Sequence, residues 1–152
     1  MRSLILGGVE LRRTTSHDPT FQSLTALLDA ELRVRYGDVQ SLYEGFNKFS
    51  CATVLVAGDA GCGCFKPGEG GAAELKRMFV RADQRKRGVA SAVLAGLEAW
   101  ARELGYPAMI LETGNLQVEA IAMYERHGYA RIDPFGPYVG LPASVCMRKS
   151  IC

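Results

Sequence analysis

At 152 residues, 48% of them hydrophobic, the chain has the size of one compact domain and enough apolar side chain for one sizeable core. Its 18 basic and 16 acidic residues leave a formal charge of +2, too even a balance for a surface-wide nucleic-acid or anionic-membrane footprint, so any anion site must be local. Leu4-Ile5-Leu6 is too short for a signal-peptide core and no apolar run reaches membrane-spanning length, which predicts a soluble, cytoplasmic protein that meets neither nucleic acid nor membrane.

In chain order, Val9 to Thr14 reads as a first strand. Asp18-Pro19 then supplies an N-cap and a first-turn proline for a helix carrying Phe21, Leu24, Leu27 and Leu28, fading near Tyr36-Gly37. Residues 38–49 are mixed, with Leu42, Tyr43, Phe46 and Phe49 as scattered anchors of a short helix or ordered loop. Cys51 to Ala57 and Gly61 to Phe65 form two strands around the Gly58-Asp59 turn. The five cysteines are odd in number and lack disulfide spacing, which suits a reducing compartment. Cys62 and Cys64 alternate onto one strand face as small buried hydrophobes, and with only His17 and His127 to help them no metal set is expected.

Glu74 to Val80 is a central strand whose plain alternation puts Leu75, Arg77 and Phe79 on one face and Glu74, Lys76, Met78 and Val80 on the other. From Val89 the period becomes helical through Val93, Leu94, Leu97, Trp100, Ala101 and Leu104, until Gly105 and Pro107 stop it. Ala108 to Thr113 is a strand, Gln117 to His127 a helix, and Tyr129 to Asp133 and Ser144 to Lys149 are closing strands around the stiff loop from Pro134 to Pro142. With no linker or repeat, residues 1–152 form one α/β (α+β) domain, a mixed sheet with helices on its faces. Ligands in such sheets gather where strands part at their carboxyl ends.

The sharpest local feature is the passage from Val80 through Arg81-Ala82-Asp83-Gln84-Arg85-Lys86-Arg87-Gly88-Val89-Ala90 into the long helix. A helix start leaves backbone N–H groups without partners and its dipole favours negative charge, while Gly88 and Ala90 let an oxygen approach closely. Arg81, Arg85, Lys86 and Arg87 add positive charge, an arrangement suited to a pyrophosphate. Neither the lysine-ending loop of nucleotide hydrolases nor a Gly-x-Gly-x-x-Gly pattern is present.

Arg85-Lys86-Arg87-Gly88-Val89-Ala90 resembles the Arg/Gln-x-x-Gly-x-Gly/Ala signature of the GNAT N-acetyltransferases, and lies between a central strand and a long helix as it does there. Gln117, Ala120, Met123, Tyr124, Gly128 and Tyr129 resemble that family's second motif, with Gln117 where asparagine is usual. The resemblance is specific from about Glu74 to Ile132. It implies a mostly antiparallel sheet with helices on both faces and a splayed strand pair at the cofactor site. It also implies acetyl-coenzyme A as donor, its pyrophosphate on Arg85, Lys86, Arg87, Gly88, Val89 and Ala90, its pantetheine arm along the backbone of Met78, Phe79 and Val80, and a contact from Gln117.

The same resemblance makes Tyr124 the general acid for the departing thiolate and Glu74 the general base, with Glu112 in reserve or water as carrier. The implied reaction is direct attack, within a ternary complex, by a primary amine of a small molecule or amino-acid-like metabolite. A non-catalytic coenzyme-A-binding regulatory module and a protein or peptide acetyltransferase are the alternatives, and a homodimer stays open. Phe135 and Tyr138 of the stiff loop are expected either to border the acceptor or simply to pack. Asp29, Glu31, Asp38 and Glu44 are expected either to attract a cationic acceptor or to be solvated face charges.

Overall fold

The computed structural model describes residues 3–40 and 49–152. Among these residues eight strands form one sheet in the order β1-β2-β3-β4-β5-β6-β8-β7. They are β1 (Ser3–Leu6), β2 (Val9–Thr14), β3 (Val54–Ala57), β4 (Gly61–Pro67), β5 (Ala73–Val80), β6 (Ala108–Gly114), β7 (Ala130–Ile132) and β8 (Ser144–Ser150). Among the described residues the α-helices are α1 (Pro19–Tyr36), α2 (Val89–Glu103) and α3 (Val118–Arg126). Neighbouring strands run antiparallel, save β5 and β6, which are parallel.

The strand β1 is an addition to the sequence expectation. It pairs with β2 around Gly7 and Gly8, both at positive φ (56° and 80°), the geometry of a two-residue hairpin turn. The expected segment over residues 38–49 falls mainly outside the described residues, Leu42, Tyr43, Phe46 and Glu44 included; Gly37–Gln40 form a short 3-10 helix.

The helix α1 starts where Asp18 accepts from the backbone N–H groups of Thr20 and Phe21, and it buries Phe21, Leu24 and Leu28 against Val54, Val56, Cys62, Cys64 and Phe79. On the opposite face, α2 lays Val93, Leu94, Leu97 and Ala101 on Leu11, Leu55 and Leu75, while Met123 and Tyr124 of α3 join the same core. Full burial of a leucine is worth about 1.5–3 kcal/mol, so Leu94 and Leu97 alone anchor α2 firmly. Close approach depends on Gly96, where a Cβ would lie 2.7 Å from Leu55 Cδ1. Below α1 the same sheet face is covered by Phe135 and Tyr138, packed edge to face over Ile110 and Cys146.

The central strand departs from simple alternation. Cys62 pairs with Phe79 but Cys64 with Lys76, so Gly63 stands opposite two residues, and Arg77 adopts a φ of 61°. This bulge exchanges the two faces halfway along β5. Met78 and Val80 join Leu75 on the α2 side, while Arg77 turns toward α1, donating from Nη2 to the Thr25 carbonyl (3.0 Å) and to Asp29 Oδ1 (2.9 Å). The sequence expectation of Arg77 beside Leu75, and of Met78 beside Lys76, is corrected accordingly.

Candidate active site

The parallel register of β5 and β6 runs Ala73–Met109, Glu74–Ile110 and Leu75–Leu111, and there it stops. Past Leu75 the bulge bends β5 away, β6 continues along β8, and a gap opens between the carboxyl halves of the two strands. Two clefts meet at this gap and share Leu28, Met78, Gln117, Ala120 and Tyr124. The larger has a cavity volume of about 580 Å³ and runs toward the start of α2; the smaller, of about 120 Å³, lies on the α1 side, and both open to solvent.

The larger cleft is lined by Met78, Phe79, Val80, Arg85, Lys86, Gly88, Val89, Ala90 and Gln117 from the sequence-based set. Gly88 stands at φ 79° as the N-cap of α2, and no side chain caps the first turn, so its amides face the cleft as donors without internal partners. Those donors and the positive helix end fit a phosphate. The arginines are not all available to it. Arg85 Nε donates to the Val80 carbonyl (2.9 Å) and its Nη2 to Glu31 (2.8 Å), while Arg81 pairs with Asp59 and Asp83. Lys86 lines the cleft, whereas Arg87 lies outside both clefts with its Nη1 toward Gln84.

Tyr124 sits at the junction of the clefts, 5% exposed, with its ring edge-on to Tyr129 at 5.7 Å between centroids. Burial pushes its phenol well above the usual range, so it stays protonated and able to donate. Gln117 accepts from Arg35 Nη1 through its Oε1, which ties α1 to the start of α3.

Glu74 lies outside both clefts. Tyr138 Oη donates to its Oε2 (3.3 Å), and Lys76 Nζ stands 3.8 Å from the same oxygen. Glu112 instead lines the smaller cleft, with Oε2 accepting from Ser144 Oγ at 2.7 Å. Burial raises its pKa, with Glu74 adding to the effect and Ser144 and Lys76 opposing it.

Lys76 and Tyr36 were not singled out by sequence reasoning, yet both line the smaller cleft. The signal for Lys76 was a lysine on a strand expected to be covered on both faces. Tyr36 had none, because its Oη reaches across 80 residues to accept from the Leu116 amide.

A bulged central strand, a parallel partner splaying from it and an anion-facing helix start define the architecture of an acyl-coenzyme-A-binding transferase. The chain belongs to the acetyltransferase (GNAT) family, whose sequence pattern it matches over residues 21–129. This is a family of acyl-transferring enzymes with acetyl-coenzyme A as donor. An IAA acetyltransferase of Azospirillum brasilense is 41% identical over 92 residues, a match spanning 60% of this chain and 60% of that protein. A solved Klebsiella pneumoniae protein, provisionally assigned as an acyl-CoA N-acyltransferase, is 30% identical, with a TM-score of 0.79 over 97% of this chain and 100% of that one. An aminoglycoside 6'-N-acetyltransferase solved with coenzyme A shares the fold at 19% identity and a TM-score of 0.66, covering 93% of this chain and 97% of its own.

Proposed function

We propose that the chain, acting as a single domain, transfers the acetyl group of acetyl-coenzyme A to the primary amine of a small molecule or amino-acid-like metabolite by direct attack in a ternary complex. The observation that carries this reading is the position of Tyr124 and Glu112 about one gap. The phenol approaches it from the α2 and α3 side, the carboxylate from the α1 side, and the pairing of β5 with β6 ends between them. The amides of Gly88, Val89 and Ala90 hold the pyrophosphate with Lys86 beside them, and the backbone of Met78 to Val80 lies along the pantetheine arm. Arg85 shapes the loop through Glu31 and the Val80 carbonyl rather than by meeting phosphate.

An ammonium has no lone pair, so the acceptor must lose a proton before its nitrogen attacks the thioester carbonyl. Glu112 takes that proton, directly or through a water. The new C–N bond forms, the C–S bond breaks, and Tyr124 gives its proton to the departing sulfur; the second proton of the attacking nitrogen passes through water to the Tyr124 phenolate, and solvent removes the one held by Glu112. Glu74 serves by holding Tyr138 and Lys76 in place. The comparisons support the donor, since two proteins of the same fold were solved with acetyl-coenzyme A or coenzyme A.

The test is acetyl-coenzyme A consumption against a library of primary amines, with mass spectrometry of the amide product and calorimetry of coenzyme A binding alongside. Amide formation with a heat of binding is expected. Binding without transfer across the library would leave a coenzyme-A-binding module, and no heat at all would remove the cofactor reading.

A further inference from the structure

Lys76 and Glu112 face the smaller cleft from adjacent strands, immediately beyond the last paired residues Leu75 and Leu111. Register carries them onto the same face of the sheet, side by side and opposite in charge. They feel one another electrostatically, yet among the described residues no ion pair joins them. Each is held instead by a neutral hydroxyl: Lys76 Nζ donates to Tyr138 Oη at 2.8 Å, and Glu112 accepts from Ser144 at 2.7 Å.

Lys76 is 7% exposed. An ammonium has three donors, and among the described residues the Tyr138 bond occupies one; Glu74 Oε2 pairs with its charge at 3.8 Å, beyond hydrogen-bond reach, and the Phe49 and Tyr138 rings lie 5.8 and 5.5 Å from Nζ without filling the other two. The neighbouring cation in the cleft, Arg77, is already engaged by Asp29 and the Thr25 carbonyl. A buried ammonium with two donors unfilled among the described residues, set beside the carboxylate of Glu112 that it does not touch, leaves room for a ligand's oxygen. A ligand carrying both charges suits both side chains.

We propose that the acceptor is a zwitterionic amino acid, its carboxylate held by Lys76 and its amine directed to Glu112. This rests on the acetyl-transfer reading and narrows it to one substrate class. The two charges of an amino acid match the two side chains in sign and in proximity. A polyamine would bring a second cation against Lys76, and an amine without a carboxylate would leave its donors unanswered. The chain Glu74–Tyr138–Lys76 positions the ammonium: Tyr138 accepts from it and donates onward to Glu74.

The test compares a panel of amino acids with their carboxamides and decarboxylated amines on the wild-type protein at saturating acetyl-coenzyme A. The amino acids should exceed both analogues in kcat/KM by tenfold or more. In Lys76→Met the ratio of amino acid to carboxamide should fall toward one, through a raised KM for the acid, while Lys76→Arg should keep part of the preference. Equal or better use of the carboxamides or decarboxylated amines by the wild-type protein would overturn this inference alone. Failure to acetylate any of the three classes, with coenzyme A still bound in calorimetry, would overturn the acetyl-transfer reading together with it.

Discussion

Arg85 and Glu31 are joined by two hydrogen bonds, of 3.1 and 2.8 Å, that tie the anion-facing loop to α1. Both side chains are about a third exposed, so the pair itself contributes no more than about 1 kcal/mol to stability. Its larger effect is on loop order. Arg85→Ala should lower the melting temperature by only a few degrees yet weaken coenzyme A binding about tenfold, ~1.4 kcal/mol, by calorimetry. Arg85→Lys should not restore it, because a lysine cannot bond Glu31 and the Val80 carbonyl together.

Tyr124→Phe removes one oxygen and leaves the ring packed on Tyr129. Turnover should fall about a hundredfold, at the low end of general-acid effects because a thiolate leaves readily, while coenzyme A affinity changes less than about twofold. Since burial holds the phenol protonated, no basic limb in the wild-type rate profile should vanish in the variant. Unaltered turnover would remove Tyr124 from the mechanism.

Glu112 must be ionised to act as a base, and its pKa is raised first by burial. The acidic limb of kcat/KM should therefore lie above the ordinary carboxylate range of about 4.3, activity falling as pH drops through it. Glu112→Gln should abolish that limb and lower kcat/KM about a hundredfold. The stability sign is the reverse. A carboxyl with a raised folded pKa favours the folded state when protonated and loses that contribution as pH rises, so the glutamine variant should be at least as stable as wild type at neutral pH. Retention of the acidic limb in the variant would point to another base.

Asp18 caps α1 and also accepts from Arg12 and Thr14. Burial pulls its pKa upward, but the bonds from Arg12, Thr14 and the backbone of Phe21 and Thr20 outweigh it and leave the value lowered. The stabilisation is thus present above the unfolded value near ~3.9 and lost as pH falls through the lower folded value. Asp18→Ala should cost about 1 kcal/mol at neutral pH, a drop of about 2–4 °C in melting temperature, and the gap should close in acid.

Gly114 is crowded by Tyr36: a Cβ there would fall 1.8 Å from Tyr36 Oη. Gly114→Ala must push the ring aside and break its bond to the Leu116 amide. Stability should fall by about 1 kcal/mol. The acceptor KM should rise severalfold, because Tyr36 and Gly114 both line the smaller cleft.

Local signals carried much of this architecture. The Asp18-Pro19 start of α1, the apolar period of α2 and its stop near Gly105 were all readable because short-range chemistry sets them. Gly7-Gly8 between Leu6 and Val9 was also a hairpin signal, and β1 was missed by treating Leu4-Ile5-Leu6 only as a failed leader segment. The placement of Gly88, Val89 and Ala90 beside a cleft was legible for the same local reason. Long-range contacts were not. Whether Arg85 is free or bonded to Glu31, and whether Glu74 or Glu112 lines the smaller cleft, depends on α1 and Tyr138 arriving from 54 and 64 residues away. The bulge at Arg77 hid the rest, since period-two reading assumes that no residue is inserted.

That insertion serves one tether and one bend. Deleting Arg77 would restore plain alternation, leaving Lys76 toward α1 and Met78 and Val80 toward α2, while removing the guanidinium that reaches Asp29 and the Thr25 carbonyl. The extra residue therefore supplies a link from the central strand to α1 at the point where β5 parts from β6, and the facing of the residues after it does not depend on that link.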